Sequence, residues 1–274
     1  MIELHVIAVN GSDWLGRSRE RGGYDFRRQT AGWEKLTAPA FGEIACASGA
    51  GGVLHLVDLS NYPPPGSLME TARHLPSLYE SGAGWELHRY TQPASDPDIR
   101  PLRHVAAAAT VDGNLHIVTA AYSGAAWYTT KFADDTWEPA WLGDFPSPNI
   151  RPVTDVACAT SPNGDLFVCA LTRKGTLHYA IRSAAGIWSD RWLADFPAPD
   201  IRPIAHPSDV DLFFGLPVRP IACAVAPSGE FHVCVIANAG DLYHAVRGHR
   251  IRILWMTQTP VSCGTRRTSP ASSA

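Results

Sequence analysis

The sequence predicts an all-β fold, a β-propeller of about five four-stranded antiparallel blades or an incomplete stretch of a larger propeller. Three observations carry this expectation. A segment of about 51 residues recurs along the chain, turn residues cut each copy into short apolar runs, and one of these runs, Leu166–Leu171, is apolar on both faces.

The repeat is read from four aligned segments: Ile44-Ala45-Cys46-Ala47, Val105-Ala106-Ala107-Ala108, Val156-Ala157-Cys158-Ala159 and Ile221-Ala222-Cys223-Ala224. After a small-residue turn each is followed by Leu54-His55-Leu56-Val57, Leu115-His116-Ile117-Val118, Leu166-Phe167-Val168-Cys169 or Phe231-His232-Val233-Cys234. A half-copy, Leu4-His5-Val6-Ile7, opens the chain. The steps from His5 to His55, His116, Phe167 and His232 are 50, 61, 51 and 65 residues, so two units carry surplus residues over the basic period.

Within a unit, the first turn (Gly51-Gly52, Asp112-Gly113, Asn163-Gly164, Ser228-Gly229) reads as a two-residue hairpin, because Gly, Asn and Asp tolerate positive φ. The second connection (Tyr122-Ser123-Gly124, Arg173-Lys174-Gly175, Asn238-Ala239-Gly240) reads as a three-residue hairpin with a glycine bulge. Third strands follow at 125–131, 176–182 and 241–247, with 66–73 on the same template. A fourth strand carries Trp137 and Trp141 in one unit and Trp188 and Trp192 at the same places 51 residues on. The run Leu166–Leu171, apolar on both faces, suits a strand sandwiched between neighbouring blades. A solenoid is the architectural rival; radial closure deals better with the exposed edges of four-stranded units.

These signals divide the chain into a partial blade at 2–41, blades at 42–103, 104–153 and 154–204, an insertion at 205–218, a last partial blade at 219–256 and a tail at 257–274. Composition narrows the partners. The 274 residues carry 23 Lys+Arg against 26 Asp+Glu, a net charge of −3, which offers nucleic acid or an anionic membrane no electrostatic footing. With 45% hydrophobic and 18% charged residues the chain can bury a core. No run approaches the roughly 18 apolar residues of a membrane span. Met1 to Ala8 lack the basic and apolar regions of a signal peptide, so a soluble chain without a leader is expected.

The strands Gly164–Ala170 and Gly175–Arg182, with Gly186-Ile187-Trp188, resemble blades of bacterial propeller lectins, the sugar-binding propellers related to fucose-specific lectins. The resemblance spans about four units, residues 2–247. It implies glycan partners held in pockets between neighbouring blades, with a preference for fucose or related deoxy or methylated sugars.

Residues suited to such pockets are aromatic rings that stack on sugar C–H faces and polar groups that bond hydroxyls. The rings are Trp127, Trp137, Trp141, Trp188, Trp192, Tyr128, Tyr179 and Tyr243; packing between blades is their alternative use. His178 with Arg182, and Tyr243 with Arg247, share a strand face by period-2 alternation, as do Trp127 with Lys131 and Met69 with Arg73. Such a cation serves either as a repeated ligand donor or to solvate a strand end. Arg100, Arg151 and Arg202 recur in proline-flanked Ile-Arg-Pro connectors at 51-residue steps, and either bond sugar hydroxyls or satisfy neighbouring carbonyls. The best-formed pocket is expected beside residues 105–203, where the spacing is regular.

Two-residue first turns would set Cys158 opposite Cys169 and Cys223 opposite Cys234, with Cys46 facing Val57 and Ala107 facing Val118. Opposed strand residues lie within disulfide reach, and a free Cys also suits a small apolar site. No Cys/His spacing supports zinc, and no cofactor is expected. The insertion, with Asp209 and Asp211, is the one break in the repeat where acid–base catalysis would be sought. A glycan-cleaving propeller and a protein-binding scaffold therefore stand as alternatives to a non-catalytic sugar binder.

Overall fold

The structure, a computed structural model, describes residues 3–10, 13–20, 34–36, 44–49, 53–60, 67–74, 86–89, 102–194, 221–236, 242–247 and 256–258. The insertion at 205–218, Arg100 and Arg202 lie outside the described residues, and of Met69 and Arg73 the backbone alone is described.

Among the described residues the chain is all-β apart from one short 3-10 turn at Pro148–Ile150. Five antiparallel sheets follow one another, each with its strands in chain order. The first holds β1 (Glu3–Asn10), β2 (Asp13–Glu20) and β3 (Glu34–Leu36). The second holds β4 (Ile44–Ser48), β5 (Val53–Ser60), β6 (Ser67–His74) and β7 (Glu86–Arg89). The third holds β8 (Leu102–Ala109), β9 (Leu115–Ala121), β10 (Ala126–Lys131) and β11 (Leu142–Gly143). The fourth holds β12 (Val153–Thr160), β13 (Leu166–Thr172) and β14 (Leu177–Arg182). The fifth holds β15 (Ile221–Val225), β16 (Phe231–Ile236), β17 (Leu242–Arg247) and β18 (Met256–Gln258), the last straddling the boundary that the sequence places after residue 256.

From the second sheet onward the first strands pack on one another: β4 on β8, β8 on β12, β12 on β15. Face-to-face packing then buries both sides of the middle sheets, and every residue of β9 is buried. Val57 and Leu59 meet Val105, Leu115 and Ile117 between sheets two and three. Ala106, Val118 and Ala120 meet Val156, Val168 and Ala170 between sheets three and four, and Ala157, Cys169 and Leu171 meet Ile221, Val233 and Val235 between sheets four and five. Small residues on the first strands let the sheets approach closely there. This is why the aligned segments are built of Ala and Cys between β-branched residues.

The first hairpin differs from its sequence reading by one residue. Ser161 N–H donates to the Asp165 carbonyl at 2.8 Å and Gly164 N–H to the Ser161 carbonyl at 3.0 Å, which makes Pro162-Asn163-Gly164 a three-residue loop. Gly164 takes φ +89° as its bulge residue. The Thr110–Asn114 and Ala226–Glu230 hairpins close the same way. The extra loop residue slides the pairing by one, which sends side chains to the other face. Cys169 faces Ala157, Cys158 faces Val168, Cys234 faces Ala222 and Cys223 faces Val233. Ala107 likewise faces Ile117, and Cys46 faces Leu56. The expected opposition of Cys158 to Cys169 and of Cys223 to Cys234 is therefore wrong. Each pair sits on opposite faces of its sheet, and Cys46, Cys158, Cys169, Cys223 and Cys234 are all free thiols.

The second connection has the three-residue form expected of it: Gly124 N–H bonds the Ala121 carbonyl and Gly175 N–H the Thr172 carbonyl, both at 2.9 Å. Gly124 is also the point where sheet three meets the start of sheet four. A Cβ built there would lie 2.4 Å from the Pro152 Cβ, and its carbonyl accepts from Val153 N–H at 2.8 Å. The fourth strand is fragmentary. In sheet three it is β11 with a bridge at Trp137, and beside β14 it is reduced to bridges at Trp188 and Leu193. A short outer strand leaves little unpaired edge to recruit another chain.

Candidate functional site

The cleft between sheets three and four carries the site. Two equivalent hairpin loops stand side by side at its mouth, and the polar side chains that shape them also line the space. The Thr110 hydroxyl and the Asn114 side-chain amide both donate to the Asp112 carboxylate, the latter at 3.0 Å. In the neighbouring loop the Ser161 hydroxyl donates to Asn163 Oδ1 at 2.5 Å, and the Asn163 amide to Asp165 at 3.1 Å. Between them opens a cavity of about 240 Å³, lined by Thr110, Asp112, Asn114, His116, Asn163 and Arg182 together with Val111, Pro162, Gly164 and Ala184.

His116, on the second strand of its sheet, is 3% exposed and lines the cavity. Its Nδ1 lies 2.8 Å from the Tyr128 hydroxyl and 3.3 Å from the Thr130 hydroxyl, which are themselves 2.6 Å apart. Burial, with the Arg182 charge nearby, lowers its pKa to about 4, so the ring is neutral at physiological pH. A neutral imidazole held on one nitrogen presents a single hydrogen-bonding edge. Arg182, at the end of β14, lays its guanidinium 5.6 Å above the Tyr128 ring. Gly186 leaves room for it, since a Cβ there would stand 3.1 Å from the Arg182 Nη2. The motif repeats one sheet on, where Arg247 stands 4.5 Å above the Tyr179 ring. The cations at the ends of β14 and β17 thus each stitch their strand to a tyrosine of the preceding sheet, whereas Lys131, at the same place on β10, pairs with the Asp135 carboxylate at 3.0 Å.

The sequence-predicted residues divide sharply. Trp127, Tyr128, Trp141, Tyr179 and Trp192 are buried at 1 to 8% exposure and serve the packing between sheets. Trp137, Trp188, His178 and Tyr243 are half-buried, as are Arg182 and Arg247. Of all these, Arg182 alone lines the cavity. Trp188 meets Tyr128 edge-on at 5.0 Å and Phe145 at 4.6 Å, and Phe145 continues to Trp192 at 5.7 Å. His178 Nε2 bonds the Thr176 hydroxyl at 3.1 Å. Arg151 grips the Asp144 carboxylate with both Nε, at 2.7 Å, and Nη2. Tyr128 contributes from below, through its hydroxyl on His116 and its ring under Arg182.

His116, Thr110, Asp112, Asn114 and Asn163 were not singled out from sequence. The signal for His116 was there, since a histidine recurs at that second-strand position in His5, His55 and His232. The turn residues looked like turn formers and nothing more. Because Trp188 sits among the packed rings, Trp188→Ala is expected to cost about 2 kcal/mol of stability by denaturant titration. Unchanged stability would instead mark the ring as a surface one, free to meet a ligand.

No family model and no curated protein matches this chain. Solved structures do. A six-bladed β-propeller lectin from the fungus Aleuria aurantia, described with its fucose recognition mode, superposes with a TM-score of 0.62 at 14% identity, over 95% of this chain and 76% of that one. The BP39L lectin of Burkholderia pseudomallei gives 0.58 at 16% identity, over 94% and 66%. The SapL1 lectin in complex with α-methyl fucoside gives 0.54 at 9% identity, over 93% and 74%. The chain has the all-β, β-propeller fold of these lectins and spans about three quarters of the Aleuria protein. No helix among the described residues is long and apolar enough to cross a membrane.

Proposed function

We propose that this protein is a non-catalytic carbohydrate-binding propeller that holds a saccharide in the cleft between its third and fourth sheets. The observation that carries the reading is the cavity itself. It lies between adjacent blades of a lectin fold and is lined by a carboxylate, two side-chain amides, a hydroxyl, an imidazole and a guanidinium. That mixture of acceptors and donors suits a ligand made of vicinal hydroxyls. The solved structures named above are all lectins, which supports binding over cleavage. The five sheets support about five blades, and the Arg–Tyr stitch repeated in the next cleft supports more than one site, with avidity from their combination. The Aleuria lectin is described with its fucose recognition mode and SapL1 with α-methyl fucoside, so fucosides belong in the first panel of ligands.

Screening the folded protein on a glycan array, followed by calorimetric titration of the hits, tests this. Saccharide binding at micromolar to millimolar strength per site is expected. No glycan bound by the folded protein at millimolar concentration would leave a protein-binding scaffold as the better description.

A further inference from the structure

The charges in the cleft point to a narrower class of ligand, an inference that rests on the carbohydrate reading above. Arg182 lines the cavity and pairs with no carboxylate among the described residues. Asp112, the cavity's one acid, is instead engaged by the Thr110 hydroxyl and the Asn114 amide. The Arg182 guanidinium lies over the Tyr128 ring, a contact that uses none of its N–H donors and leaves them available to a ligand. The equivalent Arg247 over Tyr179 has its Nη1 buried with no acceptor, so the same mode of holding an arginine leaves a donor unsatisfied one sheet on. His116 beside Arg182 is uncharged above about pH 4 and brings no second cation.

We propose that the cleft between sheets three and four selects a carboxylate-bearing saccharide, a uronic or sialic acid residue, whose carboxylate is taken by the guanidinium edge of Arg182 while its hydroxyls meet Asp112, Asn114 and Asn163. A planar guanidinium matches a carboxylate with two parallel N–H···O bonds, and such charge-assisted bonds are about twice as strong as neutral ones. A neutral sugar in the same place would leave the cation without a counter-charge.

Matched pairs of ligands test this without foreknowledge of the ring: methyl glucuronide against methyl glucoside, methyl galacturonide against methyl galactoside, and N-acetylneuraminic acid against its methyl ester. Each is titrated into the full chain at low and at 0.5 M salt, the high salt being about a 4 Å screening length. At least one acid is expected to bind about tenfold or more tightly than its neutral twin, with the margin shrinking at high salt and vanishing in Arg182→Met. Because Arg182 also stitches two sheets, Arg182→Lys is measured beside it. Lysine keeps the charge and loses the fork, and is expected to retain part of the preference. Neutral twins or fucosides binding as well as every acid would overturn the inference and leave the carbohydrate reading standing. Failure of all saccharides to bind would overturn both.

Discussion

Phe231→Ala is expected to cost about 3–5 kcal/mol, the range for removing a large ring from a packed core. Phe231 is 1% exposed at the start of β16. Its ring stacks on Phe167 with centroids 4.7 Å apart and tilts against Tyr179 at 6.3 Å. It therefore joins sheets four and five, and nothing adjacent is small and mobile enough to refill the gap: Val233 and Leu177 are themselves fixed in strands. For a chain of this size each kcal/mol moves the thermal midpoint by about 2–4 °C, so a fall of roughly 10 °C is expected by scanning calorimetry. A loss under about 1 kcal/mol would mean that sheets four and five do not pack as described.

The second large effect is a pH dependence. The folded-state pKa of His116, about 4, lies below the ordinary histidine value near 6.5. Between those values the unfolded chain binds the proton that the folded chain refuses, so stability falls as pH drops through this window. The full difference is about 3 kcal/mol, gained above pH 6.5 and lost by pH 4. Asp155 works in the opposite sense. Buried at 0% exposure, with His104 at 3.9 Å as its counter-group, it has a pKa raised by burial to about 6 against an ordinary 3.8, so its contribution to stability is lost as pH rises from about 3.8 to about 6. The two slopes oppose each other between pH 4 and 6 and flatten the wild-type profile. Comparing wild type with His116→Gln isolates the histidine. The wild type's advantage should shrink by about 3 kcal/mol from pH 7 to pH 4 in urea titrations. A difference that stays constant with pH would mean that His116 takes up a proton freely in the folded state.

The repeat made the fold legible. Gly113, Gly164 and Gly229 mark one hairpin, Gly124 and Gly175 the next, and the apolar runs between them could only be strands. The sequence did not distinguish a two-residue from a three-residue first loop, because Asn163-Gly164 suits both; the bond from Ser161 N–H to the Asp165 carbonyl decides it, and with it the facing of Cys158 and Cys169. The site was harder to read. Aromatic residues at strand spacing are what a sugar pocket and an inter-sheet core both require, and Trp127, Trp141 and Trp192 went to the core. The cavity is lined instead by short polar side chains whose turn-forming role hid a second use. Arg182 was visible as one of a repeated set of cations, yet its place over a tyrosine 54 residues earlier is a property of the packing between sheets.

The central claim is that ligand occupies the cleft between the two hairpin loops, and Ala184→Trp tests it most directly. Ala184 is an exposed lining residue in the Ser183–Ile187 turn, so a large ring there fills the cavity from its rim without disturbing a strand. Calorimetric titration of the glycan that binds wild type best is expected to show one site fewer per chain, or no binding if this is the sole site, at an unchanged thermal midpoint. Wild-type affinity and stoichiometry in Ala184→Trp would place the ligand elsewhere and contradict the account.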